Sequence, residues 1–366
     1  MRQTKVVIPF KGSSSKSNIS DEGFSIVGIL AQKDLEDRGP VSPSSPSSSY
    51  IIEEVDVSKT RGRNLALLLH GVLSHKDQTY HRRLVQELDV DSFRFDFRAN
   101  HESPGPWSMS SFEQDLEDLD VVLDYLRNHL GYRVQILIAH SRGAIDAFTY
   151  LSRNSHDRAP PNLRIPYFVA LGARWRMNRI HDRDDTYRKA FETEGFYRWK
   201  VKVAGQVKEV KIYPEQVEQF AQYRMDLVVQ RFPTKTDTLL IHGTGDKTVP
   251  PADAAYFANE LTSKVRRPGS FRMHMVDEAD HNFQGHYEEV VRVIVEWFEE
   301  RRRLEGLGEG AGAIWERELA EENEQSLTTT TTTATPIPST VVDQGSLLQS
   351  SWDEARRGGG DAKGKL

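Results

Sequence analysis

Short apolar runs recur along the chain, and segments of helical spacing lie between them. The runs are KVVIPF (5–10), FSIVGILAQ (24–32), LALLL (65–69), FRFDF (93–97), ILIA (136–139), PYFVALGA (166–173), TLLI (238–241) and FRMHMV (271–276). Several carry apolar residues at both odd and even positions. That is the pattern of a buried strand, whereas FRFDF alternates apolar with polar residues. Residues 111–132 place Leu116, Leu119, Val122, Leu123 and Leu126 at helical spacing, with Gly131 as a stop signal. Residues 288–303, EEVVRVIVEWFEERRR, read as a final amphipathic helix. Strands alternating with helices predict an α/β fold, a mostly parallel sheet flanked by helices, with the first two strands as an antiparallel pair.

Three segments interrupt this alternation. Residues 35–60 include a Ser/Pro-rich stretch that cannot bury a core, and the expectation is a partly flexible insertion. Residues 174–232 read as a helix, then a hairpin turned at Ala204-Gly205-Gln206, then a helix starting at Pro214. This is an expected cap insertion. Its aromatics, Trp175, Phe196, Tyr197, Trp199, Tyr213 and Tyr223, would pack the cap or hold a substrate ring. Residues 304–366 are Gly-rich, acidic and Thr-rich, with six Thr from Thr328. They are expected to be a disordered, low-complexity tail with at most a transient helix over 315–325. The folded domain is accordingly expected over residues 1–303.

The chemistry concentrates at strand ends. The run at 136–139 leads into His140-Ser141-Arg142-Gly143, and a helix-like segment follows. In this strand–turn–helix context a small-x-Ser-x-Gly motif is a nucleophile elbow. The turn forces its Ser into a strained backbone conformation, and Gly143 permits the close approach of helix and strand. After the strand at 238–241 a Gly-rich turn presents Asp246, and after the strand at 271–276 a polar turn presents His281. A Ser hydroxyl is a poor nucleophile until a neutral imidazole accepts its proton. The imidazole in turn needs a carboxylate to fix its tautomer. The carboxyl ends of parallel strands bring such groups together. Ser141, Asp246 and His281 are therefore the expected catalytic residues. His274, His286 and His242 are rivals for the base, and Asp280 and Asp277 for the acid.

A second constellation follows the run at 65–69. His70-Gly71 leads to Val72, whose backbone N–H, with that of Arg142, would form the oxyanion hole. His70 reads as a loop organiser. Asp96 and His101, in and after the strand at 93–97, read as residues that shape their own loop.

On the segments KVVIPF, HGVLSHKD, DFRANHESPGPW, AHSRGA, LGARWRM, HGTGDKTVP and ADHNF the chain resembles the α/β-hydrolase superfamily. Within it, the resemblance is to the serine aminopeptidase-like (S33) group and its cinnamoyl- and feruloyl-esterase-like cytosolic members. It covers most of residues 4–303. His70, Gly71 and Lys76 match the family's loop after the third strand, and His140, Ser141 and Gly143 its nucleophile motif. The turn Arg98-Ala99-Asn100-His101-Glu102-Ser103 departs from the family's Asn-Gly-His-Gly-x-Ser, which bears on fine specificity. The resemblance implies the α/β-hydrolase fold with an inserted cap. It also implies a serine hydrolase that cleaves carboxylic esters through an acyl-serine, acting on a small-molecule ester with neither cofactor nor metal. Peptidase, thioesterase, acyltransferase or carbon–carbon hydrolase chemistry on the same triad stays open, as does a non-catalytic ligand-binding role, because one fold hosts all of them.

Composition narrows the setting. Among 366 residues 37% are hydrophobic and 28% charged, a dilution that the polar segments explain. The net charge of −6 gives no reason to expect nucleic-acid binding. The absence of Cys excludes disulfides, thiol catalysis and thiolate metal sites, and makes a cytoplasmic location the simplest expectation. The N-terminus does not read as a secretory signal, and no apolar run has membrane-spanning length.

Overall fold

The computed structural model describes residues 1–10, 24–33, 55–153, 159–263 and 268–330. Its frame is an eight-stranded sheet. In chain order the strands are β1 (Arg2–Phe10), β2 (Phe24–Gln32), β3 (Asn64–Leu69), β4 (Asp91–Asp96), β5 (Arg133–His140) and β6 (Tyr167–Leu171). A hairpin outside this sheet supplies β7 (Tyr197–Val203) and β8 (Gln206–Ile212). β9 (Asp237–Gly243) and β10 (Phe271–Val276) complete the frame. The spatial order is β1-β2-β4-β3-β5-β6-β9-β10. In this sheet β1 pairs with β2, and β2 with β4, antiparallel, and its remaining pairs are parallel.

The double-sided apolar runs have a direct structural counterpart. Leu137 and Ala139 of β5 pack into one core layer with Phe168 and Ala170 of β6. Ile136 and Ile138 pack into the other with Tyr167, Val169 and Leu171. Successive residues of a strand point to opposite faces, so both parities must be apolar when helices cover both faces. On the second face lies α1 (His81–Glu87), which contributes Leu84 and Val85. The first face is covered by α2 (Phe112–Asp124), with Leu116 and Leu119, and α3 (Arg142–Arg153), with Phe148.

Residues 174–232 contain a short 3-10 segment (Met177–Arg183), then α4 (Asp184–Glu194), the β7–β8 hairpin, α5 (Pro214–Ala221) and α6 (Met225–Gln230). Ala204 (φ 47°) and Gly205 (φ 85°) both have positive φ, as a tight two-residue hairpin turn requires. Val203 and Val210 of the hairpin pack with Trp199 against Leu73 and Trp107. The hairpin is thereby anchored on the loop that follows β3.

After β9 comes α7 (Ala252–Ser263), with Phe257 and Leu261 in the first layer. α8 (Tyr287–Gly306) brings Ile294, Trp297 and Phe298 to the second. α9 (Gly310–Thr330) corrects the expectation of a disordered tail from residue 304. Ala311, Trp315 and Leu319 are buried. They recur every four residues, so they form one apolar stripe on an otherwise polar helix. Trp315 Nε1 donates to the Pro161 carbonyl at 2.7 Å. Glu316 pairs with Arg133 at 2.9 Å, and Glu318 with Lys235 at 2.8 Å and with Arg164. Gly312 permits the close approach: a methyl there would lie 1.8 Å from Tyr167 Oη. By compactness the chain divides after Ala320. Of the second unit the described residues continue the helix to Thr330, and 331–366 lie outside the described set. The Ser/Pro-rich stretch likewise lies outside it, apart from 55–60, which include a 3-10 turn at Val57–Lys59. Among the described residues no helix is long and apolar enough to cross a membrane.

Candidate active site

Ser141 stands between β5 and α3 with φ at 55°, a left-handed conformation that costs a non-glycine residue strain. Its amide donates to the Leu171 carbonyl at 2.8 Å, and its carbonyl accepts from Ala144 as α3 begins. A methyl at Gly143 would lie 2.6 Å from the His70 carbonyl. Only glycine lets the helix start this close to β3.

Ser141 Oγ and His281 Nε2 are 2.8 Å apart, and His281 Nδ1 and Asp246 Oδ2 are 2.7 Å apart. With Nδ1–H donating to the carboxylate, Nε2 is free to accept the serine proton. Asp246 Oδ1 accepts from the amides of Thr248 and Val249, both at 2.8 Å. Burial alone would raise the Asp246 carboxyl, but hydrogen bonds from His242 and His281 and from the Val249 amide hold it well below the usual carboxylate range. It is therefore a fixed anion.

The carbonyl of His281 is also tied down. His140 Nε2 donates to it at 2.9 Å, and Gln78 Nε2 donates to His140 Nδ1 at 3.0 Å. Burial, with His281 next to it, pushes the His140 imidazole down to a pKa of about 3, so it stays neutral and keeps this pattern. The rivals for the base stand elsewhere. His274 Nε2 lies 2.9 Å from Glu289, and His286 sits at the start of α8. His242 Nε2 donates to the Val249 carbonyl at 2.9 Å and lies 3.4 Å from Asp246 Oδ2, on the acid and not on the serine. Asp280 accepts from the amides of Asn282 and Gln284, and Asp277 from Thr244 Oγ1.

Gly71 lies against the elbow: a methyl on it would be 3.2 Å from Ser141 Cβ. Val72 follows directly, and Arg142 is the first residue of α3. The loop is braced by His70, whose Nε2 accepts from the Phe97 amide at 3.0 Å while Nδ1 lies 2.7 Å from the Gly71 carbonyl. Burial pushes this imidazole down to about 4. Below it, the buried Lys76 ammonium donates to Asp96 Oδ2 at 2.7 Å and also meets Glu102. Asp96, His101 and Glu102 have ligand atoms within 4.8 Å of one another. Lys76 Nζ stands among them, 3.4 Å from His101 Nδ1, so the cluster already has its cation.

Sequence reasoning did not single out the side chain of Arg142. It is buried, donates to Asp115 at 2.6 Å, to the Met109 carbonyl and to Ser111 Oγ at 3.2 Å, and lies 4.4 Å over the Phe112 ring. Nor did it find Gln78 or Asp146, which pairwise motif spacing does not reveal. The cap aromatics divide. Trp175 packs edge-on against Phe257, and Tyr223 Oη bonds Thr149 at 2.8 Å. Trp199 lies against Trp107, which lines the cleft beside Val72.

A family model described as the alpha/beta hydrolase family matches residues 66–293. The uncharacterized protein YDL057W of Saccharomyces cerevisiae is 25% identical over 263 residues, 66% of this chain and 76% of its own length. Est1E from Butyrivibrio proteoclasticus, in a structure with ferulic acid bound, is similar with a TM-score of 0.52 at 14% identity, covering 76% of this chain and 96% of that one. The Pyrococcus furiosus esterase Pf2001 is similar with a TM-score of 0.51 at 16% identity, covering 82% and 91%. At such identities the structural likeness speaks for the fold.

Proposed function

The chain belongs to the alpha/beta hydrolase family, and on that premise we propose that it is a serine hydrolase that cleaves carboxylic esters of small molecules. The observation that carries the reading is the unbroken relay from Ser141 Oγ through His281 to Asp246. In the proposed reaction Ser141 Oγ attacks the ester carbonyl carbon while its proton passes to His281 Nε2. The carbonyl π electrons move to oxygen, and the oxyanion meets the amides of Val72 and Arg142. Collapse re-forms the carbonyl and breaks the bond to the alcohol oxygen, which takes the proton from His281. Water, deprotonated by His281, then attacks the acyl-serine, and the acid leaves as Oγ regains its proton. Asp246 stays ionised throughout and stabilises the imidazolium.

Residues 174–232 are proposed to set which acyl groups enter, because the relay and the two amides meet only features that all esters share. The Trp199–Trp107 contact supports that role for the hairpin. The ferulic acid held by Est1E makes an aryl-acyl ester a natural member of a first substrate panel.

The test is labelling by a fluorophosphonate probe together with turnover of aryl and alkyl esters. Ser141→Ala should abolish labelling and lower turnover by about 10⁴–10⁶-fold while the protein still melts cooperatively. Turnover within tenfold of the parent would remove Ser141 from the nucleophile role. On the same panel Trp199→Ala should shift the aryl-to-alkyl ratio of kcat/KM by roughly ten- to a hundredfold, and Trp175→Ala should not.

A further inference from the structure

We propose that the preferred substrate carries a compact primary ammonium group a few bonds from the reacting carbonyl, and that Asp146 receives it. This deepens the esterase reading and rests on it. Asp146 lies on α3, one helical turn beyond Arg142, and is 1% exposed. Neither of its carboxylate oxygens has a hydrogen-bond partner. A native protein rarely leaves such a group buried without a purpose. Asp146 lines a small cleft that opens beside Gly71, Val72 and Arg142, where the oxyanion would sit.

Arg142 and Arg153 on the same helix act on it, but burial and the Asp115 carboxyl outweigh them and push the Asp146 carboxyl up. Arg142 is spent on Asp115, the Met109 carbonyl and Ser111. Arg98, also on the cleft wall, is bound to Asp118 and Glu117. Two guanidinium groups thus share four carboxyls, and burial pushes Asp118 and Asp146 up, so the cluster is short of a cation. Asn100 adds a further acceptor. Its Nδ2 donates to the carbonyls of Phe97 and Arg98, which leaves Oδ1 without a donor. The cleft therefore presents three side-chain oxygens without hydrogen-bond partners, one pair of them on a carboxyl that ionises only beside a cation. A ligand group that fits must donate and be cationic. The space is that of one water-sized group, which admits –NH₃⁺ and excludes a guanidinium or a trimethylammonium. Val72, Leu73, Phe97 and Trp107 supply apolar walls for the short chain that carries it.

Phenyl β-alaninate and phenyl butyrate have the same number of heavy atoms and differ by ammonium for methyl, so they isolate the interaction. With each rate normalised to hydroxide-catalysed hydrolysis, kcat/KM should favour the β-alaninate by about tenfold or more, and Asp146→Asn should bring the ratio close to one. If the butyrate is turned over and the wild-type ratio is near one, a bound water fills the cleft; the inference falls and the esterase reading stands. If neither ester is cleaved and the fluorophosphonate leaves Ser141 unlabelled, the esterase reading falls, and binding alone decides the cleft. Methylammonium chloride should then raise the wild-type Tm above that in tetramethylammonium chloride at equal ionic strength. Equal Tm values in the two salts would overturn the assignment. Should Asp146→Asn fail to fold, the wild-type ester ratio and competition by methylammonium carry the same decision.

Discussion

Two buried aspartates stand near the elbow, Asp246 bonded to His281 and Asp146 in the second turn of α3, and they are treated in opposite ways. Asp246 accepts from the Thr248 and Val249 amides, from His281 and, at longer range, from His242. Asp146 accepts from none. One carboxylate is saturated by its own protein and therefore charged and immobile before any substrate arrives, which suits a group that must orient an imidazole. The other is pushed up by burial and by Asp115, and holds unmet capacity toward the cleft. Saturation marks the part of the site that acts alike on every substrate. Incompleteness marks the part that waits for a particular one.

The strongest way to break this comparison is at the saturated end. Asp246→Asn keeps the shape but offers His281 Nδ1 an amide, so it should lower ester turnover by about 10⁴-fold. Steady-state kinetics at neutral pH checks this, and a loss below tenfold would mean that the relay does not need the charge. A second change tests whether stability elsewhere feeds into the site. Trp315→Ala on α9 empties a buried ring position and removes the bond to Pro161, and should cost about 3–5 kcal/mol of stability. Denaturant melts would show it, while the ranking of esters at temperatures where the variant is folded should stay that of the parent. An unchanged midpoint would mean that α9 adds nothing to the fold.

The smallest effect concerns acid. His140 and His70 hold folded-state values of about 3 and about 4, below the ordinary 6.5, because burial disfavours their charged forms. The unfolded chain binds these protons first, so stability is complete above about pH 6.5 and falls as the pH drops toward the folded values. Each histidine contributes roughly 1.4 kcal/mol per pH unit within that window. Asp96, held at about 2 against burial by His101 and Lys76, and Asp246, held low by its histidines, extend the loss below pH 4. His140→Gln should flatten the slope of Tm between pH 6.5 and 4 by one histidine's share. An unaltered slope would show that His140 takes up a proton in the folded protein.

Much of this molecule is legible along the chain, because its central strands are covered on both faces and so announce themselves as unbroken apolar runs. The elbow is equally local: a strand, a Ser and a Gly two residues later suffice to suggest the turn, and the structure has Ser141 at φ 55° there. The tail was misread because α9 shows only Ala311, Trp315 and Leu319 to the core, a stripe too thin to register against its acidic composition. Choosing among the histidines was beyond local pattern as well. His242, His274 and His281 all lie in or just after late strands, and only the packed sheet puts His281 between Asp246 and Ser141. The Gln78–His140 bond joins positions 62 residues apart, and Arg142 finds Asp115 across 27.

What the sequence by itself determined was every feature that depends on neighbours along the chain: the strand runs, the caps and turns, the strained serine and the order in which chemical groups follow strand ends. Only the tertiary structure decided which of those groups meet, which buried charge is compensated and which is left open. Such pairings are set by the register of parallel strands and the docking of helices between residues far apart in sequence. In a buried site the energy of a polar group depends on what lies within about 3 Å of it in space, wherever along the chain that neighbour comes from.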